Sequence, residues 1–88
     1  MAWKQPIWNG AELRSHRERR GWSQPDAIHA LRKLLKGKLA DISQPTYSNW
    51  ENGVEPKSYA QIQAIAHALG IKPGDLFRST RVRERARR

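Results

Sequence analysis

The sequence predicts an all-α domain built from five helices. Isoleucine and leucine residues recur at the spacing of one helix face, and the apolar runs lie between residues that cap helix N-termini and glycines that end helices. No stretch alternates convincingly between apolar and polar residues, as a β-strand would. The 88 residues suffice for one core, so we expect one domain, residues 10–77, between an N-terminal arm, residues 1–9, and a C-terminal tail, residues 78–88.

The first two predicted helices are defined by their ends. Asn9 can cap a helix that stops at Gly21, and this helix is short and very basic. The second helix follows Ser23, with Asp26 three residues later as in a capping box, and extends to about Lys36. Its apolar positions recur at helical spacing and are Ile28, Leu31 and Leu35.

The segment after the second helix is ambiguous. Residues 38–41 can form either an extra helical turn or a wide loop, and Ile42 is then an apolar plug before the next helix. The third predicted helix occupies residues 44–51 and follows a serine that can cap it. Tyr47 and Trp50 lie three residues apart on one face, which we expect to face the core.

The last two predicted helices complete the core. Ser58 can cap the fourth helix, and Gly70 can end it. The fifth is one short turn within the sequence IKPGDLF, residues 71–77, with Leu76 and Phe77 pointing inward. The apolar stripe of the fourth helix consists of Ile62, Ile65, Ala66 and Leu69.

Charge is the strongest compositional signal. Seventeen Lys and Arg residues against eight Asp and Glu give a formal net charge of +9, and the isoelectric point is near 10.9. Six of the last eleven residues are arginines. Such a basic small domain is typical of proteins whose partner is a polyanion, usually nucleic acid, although a basic surface can also serve solubility alone.

Several function classes find no support in the sequence. The three histidines are far apart, metal-ligand spacings and glycine-rich phosphate loops are missing, and there is no cysteine. We therefore predict no enzyme activity, no cofactor and no metal site. No apolar run approaches the ~20 residues of a membrane span, and the N-terminus lacks the apolar region of a signal peptide, so a cytoplasmic protein without a membrane partner is expected.

The outward face of the third helix is unusual for so basic a chain. It has no lysine, arginine or glutamate between Ser43 and Trp50. Glutamine and asparagine can pair bidentately with adenine, and serine or threonine can serve several bases. An ordinary polar helix face is the alternative interpretation. The polar side chains concerned are Gln44, Thr46, Ser48 and Asn49.

Three segments in this order resemble one family. They are LRSHRERRGWSQ, ISQPTYSNWENG and KSYAQIQAIAHALGIKPGDLF, within residues 13–77. The chain resembles the phage-repressor/Cro-like (Xre-like) helix-turn-helix family, which implies a five-helix, repressor-like DNA-binding domain. The resemblance also implies a partly buried salt bridge between Arg17 and Glu51. Gln24 matches a glutamine that touches a DNA phosphate and braces the start of the third helix.

The resemblance implies further DNA contacts at matched positions. Gln44 and Asn49 match base-reading residues in the major groove, and Ser48 and Thr46 are expected to assist them. Asn52 matches a phosphate contact just beyond the helix. Lysines near the reading helix are expected on phosphates as well, namely Lys36, Lys38 and Lys57.

The sequence departs from the family pattern in three places. Pro45 stands where many relatives have a polar base reader and can offer only apolar contact, for instance to a thymine methyl group. His16 replaces a usually apolar residue, which we interpret as a satisfied or half-exposed histidine rather than a ligand. The spacing between the second and third helices is longer than usual, which predicts an enlarged helix 2 or turn within Arg32–Asp41. This insertion could lengthen the helix, lie on the DNA backbone or contact another subunit.

Together these features predict a sequence-specific transcriptional regulator, a repressor of bacterial or phage origin. We expect it to bind a near-palindromic DNA operator as a homodimer. One alternative is an antitoxin-like module that also binds a protein partner, through the insertion or through an arm containing Trp3 and Trp8. Another is a nucleic-acid binder indifferent to sequence, in which the arginine-rich tail dominates.

Overall fold

Within residues 6–79, which a computed structural model describes, the chain is mostly helical. Four α-helices occur in this part of the chain. They are α1 (Gly10–Arg19), α2 (Gln24–Leu34), α3 (Gln44–Glu51) and α4 (Tyr59–Leu69). The predicted fifth helical turn is a 3-10 helix, Pro73–Leu76, rather than a fifth α-helix. The predominantly helical architecture is thus confirmed, and the five-helix count holds only if this 3-10 turn is included.

The expectation of no strand is wrong. Two short strands, β1 (Pro6–Trp8) and β2 (Phe77–Ser79), pair antiparallel, with Ile7 opposite Arg78. The Trp8 and Phe77 rings meet edge to face, with centroids 5.6 Å apart. Three-residue strands are too short to show alternation, and their partners lie at opposite ends of the chain, so no local signal announces them. Trp3 and the tail beyond residue 79 lie outside the described residues.

Side-chain caps account for where the α-helices begin. The side chains of Asn9, Ser23, Ser43 and Ser58 each accept a hydrogen bond from a backbone N–H in the first turn of the helix that follows. At α2 the cap is reciprocal, because the Asp26 carboxylate accepts from the Ser23 backbone N–H. Helix α4 ends at Gly70, whose left-handed φ of 69° satisfies the usual geometry of a helix C-terminus.

The core lies where α2 packs on α4 and α1 packs on α3. The predicted inward residues of α3, Tyr47 and Trp50, are buried, as are Leu13 and Leu31. The apolar residues of α4 that were expected in the core are buried too: Ile62, Ile65, Ala66 and Leu69. Burial of these side chains is the main favourable contribution to folding in a domain of this size.

A connection of nine residues, 35–43, joins α2 to α3. Helix α2 ends at Leu34, earlier than the sequence predicts, and the connection then forms a 3-10 helix at Gly37–Ala40. Ile42 is fully buried, as expected of an apolar plug. The connection is therefore a folded segment that places the first residue of α3.

Candidate nucleic-acid interface

Helix α3 presents one face to the core and the other to solvent. Tyr47, Trp50 and Glu51 are buried, which leaves the opposite side of this short helix exposed. Ser48 is half-buried, so it lies at the margin of the exposed face. The exposed residues of the helix are Gln44, Pro45, Thr46 and Asn49.

The exposed polar side chains of α3 differ in whether they already form hydrogen bonds within the protein. The Ser43 hydroxyl donates to the Thr46 hydroxyl oxygen at 2.9 Å, which leaves the Thr46 O–H free to donate elsewhere. Among the residues that the structure describes, the side-chain amides of Gln44 and Asn49 make no hydrogen bond. Pro45 and Asn49 lie one turn apart and are therefore neighbours on one side of the helix. The face thus offers free amide donors and acceptors beside one apolar ring.

The C-terminal end of α3 is fixed by a buried ion pair. Arg17 Nε donates to Glu51 Oε2 at 2.6 Å, and Arg17 Nη2 donates to Glu51 Oε1 at 3.1 Å. Each residue is only 9% exposed. Arg17 Nη1 also donates to the Trp22 carbonyl oxygen at 2.7 Å. The guanidinium therefore joins α1, the turn before α2 and the end of α3.

The resemblance implies that Gln24 contacts the start of α3, but in the structure Gln24 contacts its C-terminal end. Its side-chain Nε2 donates to Glu51 Oε1 at 3.1 Å, so it braces the end of the helix and not its start. Geometry explains the difference, since Gln24 opens α2 beside the point where α1 and α3 meet. A side-chain amide has two N–H groups, so one donor remains for another partner.

Trp8 and Gly10 also contact the end of α3, and the sequence predicted neither of these contacts. Trp8 Nε1 donates to the Trp50 carbonyl oxygen at 2.7 Å across 42 residues of sequence. A methyl group added at Gly10 would press on the Trp50 carbonyl oxygen and lie 2.7 Å from the Glu51 carbonyl carbon. Only glycine allows this approach of α1 to α3, and nothing in the local sequence distinguishes Gly10 from an ordinary helix start.

The network around Glu51 alters its protonation. Burial alone would raise the pKa of the Glu51 carboxyl group, but hydrogen bonds from Arg17 and Gln24 and the positive charge of Arg17 outweigh it, so the pKa lies below its ordinary value of 4.5. The Arg17 pKa is raised, chiefly by its hydrogen bond to Glu51. Burial, and after it the Glu51 charge, raises the pKa of the neighbouring Tyr47 hydroxyl. The pair is therefore ionised at neutral pH.

Acid should destabilise the fold through this carboxylate. The pKa of Glu51 is lower in the folded state than in the unfolded state. The ionised carboxylate therefore contributes its full stabilisation at pH values above the unfolded-state pKa, and this stabilisation is lost as the pH falls through the folded-state pKa. We expect the free energy of unfolding, measured by urea titration, to decrease below about pH 4.5 and to decrease less in Glu51→Gln. The pKa of Asp26 is also lowered, chiefly by the hydrogen bond from the Ser23 backbone N–H. The Asp26→Asn variant therefore measures how much of the pH dependence comes from Asp26. If the stability of Glu51→Gln depended on pH as that of the parent protein does, the Glu51 carboxylate would not be the cause of the acid effect.

The residues predicted to contact phosphates both precede and follow α3 in the chain. Lys36 and Lys38 are exposed on the connection, and Asn52 is exposed directly after α3. Lys57 is exposed in a groove between α3 and α4, which Thr46 and Asn49 also line. The structure thus brings one predicted cation beside two predicted base readers.

His16 contacts an acid on its own helix. It is half-buried, and its Nε2 lies 3.3 Å from Glu12 Oε1 one turn away. In the part of the chain that the structure describes, no three histidine or acidic residues gather as a metal site would require. No helix described there combines the length and the apolar character that a membrane span requires.

Comparison with known proteins adds one finding. A family model described as a helix-turn-helix domain matches residues 9–80, which is most of the chain. The match includes α1 to α4 and the strand β2. No curated protein and no solved structure matched the chain.

Proposed function

The chain belongs to the helix-turn-helix family, and on that premise we propose that it is a transcriptional regulator that reads operator DNA with α3 in the major groove. The observation that carries the proposal is the exposed face of α3, whose side-chain amides form no hydrogen bond within the described residues. The C-terminal end of this helix is held by hydrogen bonds from Trp8, Arg17 and Gln24. A helix fixed in this way can present base-reading groups without first paying to order them.

The side chains on the outward face of α3 suit several kinds of base contact. Gln44 and Asn49 can each pair bidentately with the N6 and N7 atoms of adenine. The free O–H of Thr46 can donate to a base acceptor, and Ser48, at the margin of the face, can assist it. Pro45 can contact a thymine methyl group. This combination favours sites rich in A·T pairs over sites rich in G·C pairs.

The phosphate contacts that we propose flank this face. Gln24 retains one amide N–H after its bond to Glu51, and Asn52 extends from the end of α3. Cations are available from Lys36, Lys38 and Lys57. Contacts of this kind position the protein without reading sequence, and they make affinity depend on salt.

One copy of α3 touches few bases, so we propose that two copies bind one near-palindromic site. Half-sites one helical turn apart would then place both recognition helices in successive major grooves on one side of the duplex. A dimer bound across a promoter excludes other proteins from it, and we therefore propose repression as the regulatory outcome.

Base reading and phosphate binding can be separated by paired substitutions. We expect Gln44→Ala to weaken binding to the cognate operator by about 1–3 kcal/mol and to leave binding to a scrambled duplex unchanged. Lys57→Ala should weaken both duplexes equally and lower the salt dependence by about one phosphate contact. Fluorescence anisotropy at several salt concentrations measures both quantities. Equal losses on the two duplexes for Gln44→Ala would instead favour a nucleic-acid binder that is indifferent to sequence.

A further inference from the structure

The connection between α2 and α3 is held to the rest of the fold by two side chains. Arg32 Nη2, from α2, donates to the Ile42 carbonyl oxygen at 2.9 Å. Gln61 Nε2, from α4, donates to the Leu39 carbonyl oxygen at 3.1 Å. Both bonds go from a long side chain to a backbone carbonyl, so each fixes the path of the connection and not merely one of its side chains.

Further contacts make the connection a defined structure. The Ile42 side chain is fully buried in the core. Within the segment, the Asp41 N–H donates to the Lys38 carbonyl oxygen at 3.1 Å, and the Ile42 N–H donates to that of Ala40 at 3.0 Å. A segment held at so many points has already lost the conformational entropy that a free loop would lose on binding a partner.

Two lysines lie on this braced segment and face solvent. Lys36 immediately precedes the 3-10 helix and Lys38 lies within it, and both are exposed. Leu39, whose carbonyl group is bound by Gln61, lines the same groove as Thr46 and Asn49 of α3. The connection that carries the two lysines therefore borders the proposed reading face at Leu39, and the phosphates of a bound duplex would run beside that face.

We propose that Arg32 and Gln61 are positioning residues that hold the α2–α3 connection as a preorganised phosphate-binding element, with Lys36 and Lys38 as its phosphate ligands. The inference rests on the proposed DNA-binding function and deepens it. Arg32 acts through the Ile42 carbonyl group, so its own contribution to DNA affinity depends on the two lysines. Without the braces the lysines would have to be ordered on each binding event, and their contribution would fall.

The bracing itself can be tested without DNA. We expect Arg32→Met and Gln61→Ala to speed amide hydrogen exchange at Asp41 and Ile42 by about 2- to 10-fold, as the loss of one hydrogen bond implies. Exchange in the middle of α4 should not change. Lys33→Met is the matched control, because it removes the same charge from the neighbouring position, where the exposed side chain forms no hydrogen bond within the described residues. Unchanged exchange in both test variants, or an equal change in the control, would overturn the bracing.

The phosphate role is tested by the salt dependence of operator binding. In the parent protein, replacing Lys36 and Lys38 by alanine should reduce the slope of log affinity against log salt by about 1.8, or about 0.9 for each contact. The same pair of substitutions should reduce the slope by less than half as much in an Arg32→Met background, and by the full amount in a Lys33→Met background.

The outcomes separate this inference from the function on which it rests. Equal reductions in all three backgrounds would show that the lysines work without Arg32 and would overturn its positioning role. A parent protein that binds no DNA would overturn both the proposed function and the phosphate role. Gln44→Ala could weaken binding to both duplexes equally while the effect of the lysine substitutions still depends on Arg32. That result would contradict base reading by α3 and would support the phosphate-binding element.

Discussion

The Glu51→Met variant is expected to have a free energy of unfolding about 3–5 kcal/mol below that of the parent protein. The substitution leaves Arg17, a residue only 9% exposed, without the carboxylate that accepts two of its hydrogen bonds. It also removes the acceptor of the Gln24 amide. An unpaired buried charge costs far more than the loss of an exposed ion pair, so most of the effect comes from the stranded arginine. Urea denaturation followed by tryptophan fluorescence measures the change.

A double-mutant cycle shows whether the two charges act as a pair. Arg17→Met should also destabilise strongly, and the Arg17→Met/Glu51→Met double variant should be more stable than the sum of the single effects predicts. The exposed pair Arg14–Glu18 has Nε and Oε2 3.0 Å apart, but Glu18 Oε2 also lies 3.9 Å from Arg17 Nη2. Arg14→Met is therefore the control, and it should change the stability by at most about 1 kcal/mol. Additive effects of Arg17→Met and Glu51→Met would contradict the interpretation.

The features that the sequence predicted well depend on local chemistry. Ser23, Ser43 and Ser58 each cap the helix that was expected after them, because capping needs only a side-chain oxygen within three residues of a free N–H. The inward faces of α3 and α4 follow from the spacing of their apolar residues. Such signals are complete within one turn of helix, so they can be read without knowing the fold.

The features that were missed depend on contacts between distant parts of the chain. β1 has no signal of its own, since it pairs with residues some seventy positions later. Arg32 appears in the sequence as one cation among many, and only the fold shows that it binds the Ile42 carbonyl group. In the candidate site, family resemblance associated Gln24 with α3 but with the wrong end of it, because the position of α2 relative to α3 is set by packing. The base contacts of Gln44 and Asn49 stay predictions.

The second large effect is expected at Gly10. In most helix positions, replacing glycine by alanine stabilises a protein by about 0.4–1 kcal/mol, because the unfolded chain loses conformational freedom. Gly10 is helical and has an ordinary negative φ, so its backbone would accept alanine. The added methyl group would, however, overlap the Trp50 carbonyl oxygen and the Glu51 carbonyl group, which are backbone atoms and cannot rotate away as a side chain can. We therefore expect Gly10→Ala to destabilise by about 2–3 kcal/mol, the cost of overpacking a rigid contact.

Gly74→Ala is the matched control for this substitution. An added methyl group at Gly74 meets no atom within 4 Å, and its φ is not positive, so alanine there should be neutral or slightly stabilising. Gly10→Ala should also weaken operator binding, since relief of the overlap requires the end of α3 to move away from α1 and from the Trp8 indole that binds the Trp50 carbonyl oxygen. If both variants have the same midpoint of urea unfolding, the close approach of α1 to α3 does not constrain residue 10. If Gly10→Ala loses stability but keeps its operator affinity, the contact stabilises the fold without positioning the reading face.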